Sequence, residues 1–206
     1  MEGLTYAQAI AALRQAYAEG KAGLQPIFMT TEGTALARPL TFEETIDTLV
    51  NAYESGDKTL LRSWNDTCTG IHAKAHSTQF KLVPCSPALI TLPEDFNQKA
   101  LSLPYQDTEG IELDKSKGKY DKRLTKTEYL NHAGWTAAIP DKALRQAFGN
   151  IVFTELKTEK ALGFFVRPNT SQDELRSLLV GSINDDSSAT GYPLRSKARF
   201  VRVNPT

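Results

Sequence analysis

A chain of 206 residues suits one folded domain, and 40% apolar with 23% charged side chains is globular composition, which excludes wholesale disorder. Lys and Arg together number 24, as do Asp and Glu, so no net field draws the molecule to nucleic acid or to an anionic membrane. The two cysteines, Cys68 and Cys85, are too few for a disulfide framework and suit a reducing cytoplasm, and no run approaches the roughly 18 apolar residues that span a bilayer.

Charge is unevenly spread. Residues 1–60 carry 4 basic and 8 acidic side chains, whereas residues 131–206 carry 10 and 7. The difference is too small to make either end a nucleic-acid-binding arm, so charge permits a nucleic-acid partner without favouring one.

The first expected element is a helix over Thr5–Gly20, and its frame returns 36 residues later over Thr41–Gly56. Each copy has a threonine N-cap candidate, with Gln8 or Glu44 at capping-box spacing. Each has an apolar stripe ending at Tyr17 or Tyr53, and a glycine stop at Gly20 or Gly56. The first copy resembles the opening helix of a pentatricopeptide repeat. Such repeats need a second helix at once, and Gly23, Pro26, Gly33 and Pro39 interrupt it. The copies are therefore read as a pair of similar helices on one core, offering a surface to a protein partner.

From Asp57 the pattern extends the second helix to Trp64 and then loosens through Gly70. Gln79–Val83 alternates polar and apolar residues and reads as a half-buried strand ending at Pro84. Ala88–Leu92 is a short strand or a turn of helix between prolines. Residues 102–124 are the most polar part of the chain, and within them Asp114–Arg123 reads as a long surface loop. Thr125 with Glu128 starts a helix through Trp135, and Asp141 starts another that Gly149 stops after Phe148. Ile151–Leu156 and Ala161–Val166 then read as the arms of a β-hairpin around Lys157-Thr158-Glu159-Lys160, closed by Pro168. Thr170 or Ser171 caps a helix through Val180, with Asp173 and Glu174 in its first turn. Asn184–Pro193 reads as a loop and Ala198–Val203 as a last strand. The class is α+β: an N-terminal pair of amphipathic helices packed with a mixed, mainly antiparallel sheet containing the 151–167 hairpin. A single domain is expected over residues 1–206, helical over residues 1–66 and mixed α/β over residues 67–206.

Asp141 follows Pro140, and Glu155-Leu156-Lys157 ends an apolar run, an arrangement that resembles the PD-(D/E)xK motif of metal-dependent nucleases. The resemblance implies that Asp141 and Glu155 hold Mg²⁺ while Lys157 positions the attacking water. Cys68, His72 and His76 recur every four residues and form a candidate zinc set, with Cys85 further along. Cys68 is also a candidate nucleophile with His72 or His132, although a cysteine more often serves as a small buried hydrophobe. Arg195, Lys197, Arg199 and Arg202 around Phe200 form a basic segment suited to protecting a sheet edge or meeting phosphates. No phosphate-loop, dinucleotide-binding or serine-elbow motif occurs. The sequence therefore favours a soluble cytoplasmic binding or assembly module without its own catalysis. A Mg²⁺-dependent nuclease is the alternative.

Overall fold

The computed structural model describes residues 27–29, 35–37, 40–58, 60–62, 65–90, 100–166, 171–181 and 189–191. Strands β1 (Ile27–Met29) and β2 (Ala35–Ala37) pair antiparallel, with Ile27 opposite Ala37. Helix α1 (Phe42–Glu54) starts on the expected capping box. Thr41 Oγ1 accepts from the Glu44 amide at 3.2 Å, and the Thr41 amide donates to Glu44 Oε2 at 2.8 Å. Phe42, Ile46, Leu49 and Val50 make its buried stripe, and Gly56 follows in the left-handed region at φ +89°. The sister helix Thr5–Gly20 lies outside the described residues. The expected extension to Trp64 is replaced by one 3₁₀ turn at Leu60–Arg62 and by a strand from Asn65.

That strand, β3 (Asn65–Ala73), forms a hairpin with β4 (Gln79–Val83), the strand legible from alternation. Helix α2 is the single turn Pro87–Ile90. Strands β5 (Leu101–Ser102) and β6 (Ile111–Asp114) follow, and β6 leads into the segment read as a loop, which opens with a 3₁₀ turn at Lys115–Lys117. After α3 (Lys126–Asn131), α4 (Ala133–Ala138) and α5 (Lys142–Leu156) come β7 (Phe164–Phe165), β8 (Glu174–Val180) and β9 (Ala189–Gly191). The sheet runs β6-β4-β3-β8-β9-β7, with β5 pairing β8 as well. Every pairing is antiparallel except that of β7 with β9, so the mixed, mainly antiparallel α+β reading holds among the described residues.

The hairpin expected at 151–167 does not form. Ile151–Leu156 is the C-terminal end of the 15-residue α5, in which Phe148, Ile151 and Val152 share the buried side at helical spacing. A six-residue apolar run carries too little periodicity to tell a strand from a buried helix. Gly149 gave the false stop. A Cβ there would meet Tyr129 Cε1 at 2.7 Å, so the glycine admits the Tyr129 ring against the helix. The Tyr129 hydroxyl donates to the Arg145 carbonyl at 2.9 Å, one turn earlier. Helix α5 ends at Lys157, itself left-handed at φ 50°.

The helix expected over 170–180 is instead β8, enclosed between β3 and the β5/β9 pair, where ladder partners outweigh local helix signals. The helix expected from Thr125 to Trp135 keeps its capping box but breaks at His132. The last expected strand, Ala198–Val203, lies outside the described residues.

One face of the sheet contributes Ile71, Phe80, Leu82, Leu178 and Val180 to the main core beneath α1 and the α3–α5 helices. Trp135 sits at its centre, with ring centroids of Phe42, Tyr129 and Phe164 at 5.7, 4.9 and 5.7 Å. Its indole donates to the Leu162 carbonyl at 2.9 Å, so the buried N–H is satisfied. Val83, Leu89 and Leu175 form a second, smaller cluster.

Candidate functional site

The smaller cluster carries a polar centre where β3, β4 and β8 meet the 103–109 segment. In the ladder His72 lies opposite Lys81 on one side and Leu175 on the other. His72 Nε2 lies 3.0 Å from the Leu103 carbonyl. A carbonyl only accepts, so Nε2 carries the proton and Nδ1 presents its lone pair. Burial lowers the His72 pKa, offset in part by that carbonyl, so the ring is neutral near pH 7.

The His72 and Tyr105 rings lie 5.4 Å apart. Lys81 Nζ stands 4.3 Å and Lys74 Nζ 5.7 Å from the Tyr105 ring centroid, as cations over a π face. Lys81 also donates to the Tyr105 and Thr108 carbonyls at 2.9 and 2.8 Å, fixing that turn on β4. Burial, with Glu112 and Asp173 adding to it, pushes the Tyr105 phenol up to about 12. His72 Nδ1 and the Tyr105 hydroxyl are buried with no hydrogen-bond partner among the described residues.

Asp173 joins the pieces. Its Oδ1 accepts from the Ala75 amide at 2.7 Å and its Oδ2 from the Tyr105 amide at 2.8 Å. The Ala75 and Tyr105 amides hold its carboxyl below the usual range. One carboxylate thus ties the β3–β4 turn, the 104–109 turn and the start of β8 at one end of the sheet. Around it Lys74, His76, Gln106, Asp107, Ser171 and Gln172 are exposed. The arrangement positions loops and presents side chains.

The structure separates the residues of the nuclease reading. Asp141 caps the N-terminus of α5, accepting from the Ala143 and Leu144 amides at 2.7 and 3.2 Å. Glu155 lies in the last turn of the same helix and Lys157 just beyond it. At 1.5 Å per residue the two carboxylates are about 20 Å apart, far beyond one Mg²⁺ ion's reach. Glu155 instead accepts from the Tyr53 hydroxyl at 2.6 Å and from Lys58 at 2.9 Å, bracing α1 against α5.

The zinc set is also apart. Cys68 and His72 are both buried in β3, where four residues of strand span about 13 Å. His76 is exposed in the turn. Among the described residues no three metal-ligating side chains converge. His132, the alternative partner of a Cys68 nucleophile, packs edge-on to Tyr120 at 4.5 Å and stacks on Phe164 at 5.8 Å. The basic residues Arg195, Lys197, Arg199 and Arg202 lie outside the described residues.

Sequence reasoning found His72 but missed Tyr105, Lys81 and Asp173. Asp173 looked like a helix first-turn acid, and its amide partners lie 98 and 68 residues away, so no local pattern reports them.

No helix among the described residues is long and apolar enough to cross a membrane. No known protein family and no curated protein matches the chain. A solved structure from Nanoarchaeota is similar, described as "Accommodation of massive sequence variation in Nanoarchaeota by the C-type lectin fold". The two superpose with a TM-score of 0.59 over 95% of this chain and 93% of that one, at 18% identity. At that identity the likeness speaks to the fold, and the fold it gives this α+β chain is that of the C-type lectins.

Proposed function

We propose that this chain is a non-catalytic binding module that recognises a protein partner through the surface of residues 74–78, 104–109 and 171–173. The observation that carries the reading is Asp173, whose carboxylate holds two turns and the start of β8 as one unit. Pre-organised loops lose less conformational entropy on binding, as a recognition surface on a rigid sheet requires. The fold likeness supports the same division of labour. The Nanoarchaeota fold is described as accommodating massive sequence variation. Here the exposed Lys74, His76, Gln106, Asp107 and Gln172 are the positions free to vary, while His72, Lys81, Tyr105 and Asp173 hold the frame.

A screen of the chain against protein and peptide arrays, with glycan arrays for comparison, supplies ligands for the test. The combined variant Lys74→Ala, Gln106→Ala, Asp107→Ala should bind a protein ligand at least about 10-fold more weakly, the effect of losing one or two modest contacts. Glu159→Ala, exposed and outside the three segments, should bind as wild type. Unchanged binding by the combined variant, or ligands found only among glycans, overturns the reading.

A further inference from the structure

The two cysteines, 17 residues apart in sequence, lie with their Sγ atoms 3.6 Å from one another. Their approach follows from the β3–β4 ladder. Gly70 pairs with Val83, and continuing that register two residues outward sets Cys68 opposite Cys85. Two bonds hold the backbones there: the Ser86 amide donates to the Cys68 carbonyl at 2.8 Å, and Thr69 Oγ1 donates to the Pro84 carbonyl at 2.6 Å. Cys68 is fully buried and Cys85 is exposed.

We propose that Cys68 and Cys85 form an oxidation site, a thiol pair that closes to an intramolecular disulfide by exchange with a small disulfide of the glutathione class. The difference in exposure sets the order of steps. The Cys85 thiol loses its proton and its thiolate attacks one sulfur of the small disulfide, breaking that S–S bond and releasing one thiolate, which takes up a proton. Cys68 then loses its proton and attacks the Cys85 sulfur of the mixed disulfide, expelling the second small thiol. Two protein thiols are oxidised and one small disulfide is reduced to two thiols. The sulfurs need to approach from 3.6 Å to about 2 Å, within reach of side-chain rotation.

The bond would act where several elements meet. The Cys68 amide donates to the Leu40 carbonyl at 2.8 Å, and Thr69 Oγ1 accepts from the Phe42 amide at 2.8 Å, at the start of α1. Cys85 leads directly into α2. Closure would therefore pin the entry to α1, the outer end of the hairpin and α2 to one another.

The test equilibrates the full chain in mixtures of glutathione and glutathione disulfide, then alkylates and digests it. The oxidised wild type should remain monomeric, lose two hydrogens in mass, resist alkylation at both cysteines and yield one peptide linking Cys68 to Cys85. Its Tm should rise by about 5–10 °C over the reduced form, as closing a loop of this length implies. Cys68→Ser should instead accumulate one glutathionyl group on Cys85. Cys85→Ser, changed only at an exposed position, should keep Cys68 resistant to alkylation while folded and show no Tm response to the glutathione ratio. Stable glutathionylation of wild-type Cys85, a Cys85-linked dimer, or full alkylation of both cysteines in the oxidised mixture would each overturn the proposal.

Discussion

Replacing Asp173 by alanine removes a charged acceptor from two backbone amides at once. Hydrogen bonds to charged groups contribute about 1.5–3 kcal/mol each, so Asp173→Ala should destabilise by at least about 2 kcal/mol in urea denaturation. An effect under about 0.5 kcal/mol, typical of a surface side chain, would show that the clamp adds little. His132 gives a second test, through pH. It is 7% exposed, and both ring nitrogens are buried. Burial pushes its pKa from 6.5 down to about 4, with the Lys119 backbone offsetting part of the shift. Between those values the unfolded chain binds more protons than the folded one. Stability therefore falls as pH drops from about 6.5 and levels off below about 4, by on the order of 3 kcal/mol. His72, lowered in the same direction, adds to the loss. The urea midpoint should fall from pH 7 to pH 5, and His132→Phe, which keeps an aromatic ring between Tyr120 and Phe164, should flatten much of that slope. A wild-type midpoint that does not move between these pH values would contradict the burial of His132.

Helix α5 shows which elements were legible in the sequence and which were not. Its start was legible because Asp141 bonds the amides two and three residues on, a local signal. So were the capping boxes at Thr41 and Thr125 and the alternating strand Gln79–Val83. The continuation of α5 past Gly149 was not, because the reason for that glycine lies on α3. The prediction follows from the contact. An exposed mid-helix glycine changed to alanine gains about 1 kcal/mol, but a Cβ at Gly149 would meet Tyr129 at 2.7 Å. Gly149→Ala should therefore destabilise, by about 1–3 kcal/mol as overpacking does. Stabilisation in urea denaturation would show that the Tyr129 ring yields to a Cβ at little cost and that the contact does not require glycine. Strand β8 was hidden for the same kind of reason. Glu174–Val180 has no strand alternation, being buried along most of its length, and only its neighbours β3, β5 and β9 make it a strand.

For the whole molecule, composition and pattern conveyed the α+β class, whereas the sheet order depends on pairings distant in sequence. The candidate site shares that property. His72, Tyr105 and Asp173 come from three separate segments, and the compact motif around Glu155 that drew attention in the sequence is stretched along one helix. The central claim is that Asp173 makes those segments a single presented surface. Amide hydrogen exchange at Ala75 and Tyr105, in wild type and in Asp173→Asn, tests it most directly. Both amides should be protected in wild type, and both should lose roughly 10-fold or more of that protection in the variant, while Ile71 and Leu82 in the sheet keep theirs. If Tyr105 stays protected when Ala75 does not, or if neither amide responds, the three segments are independent and the account of the site is wrong.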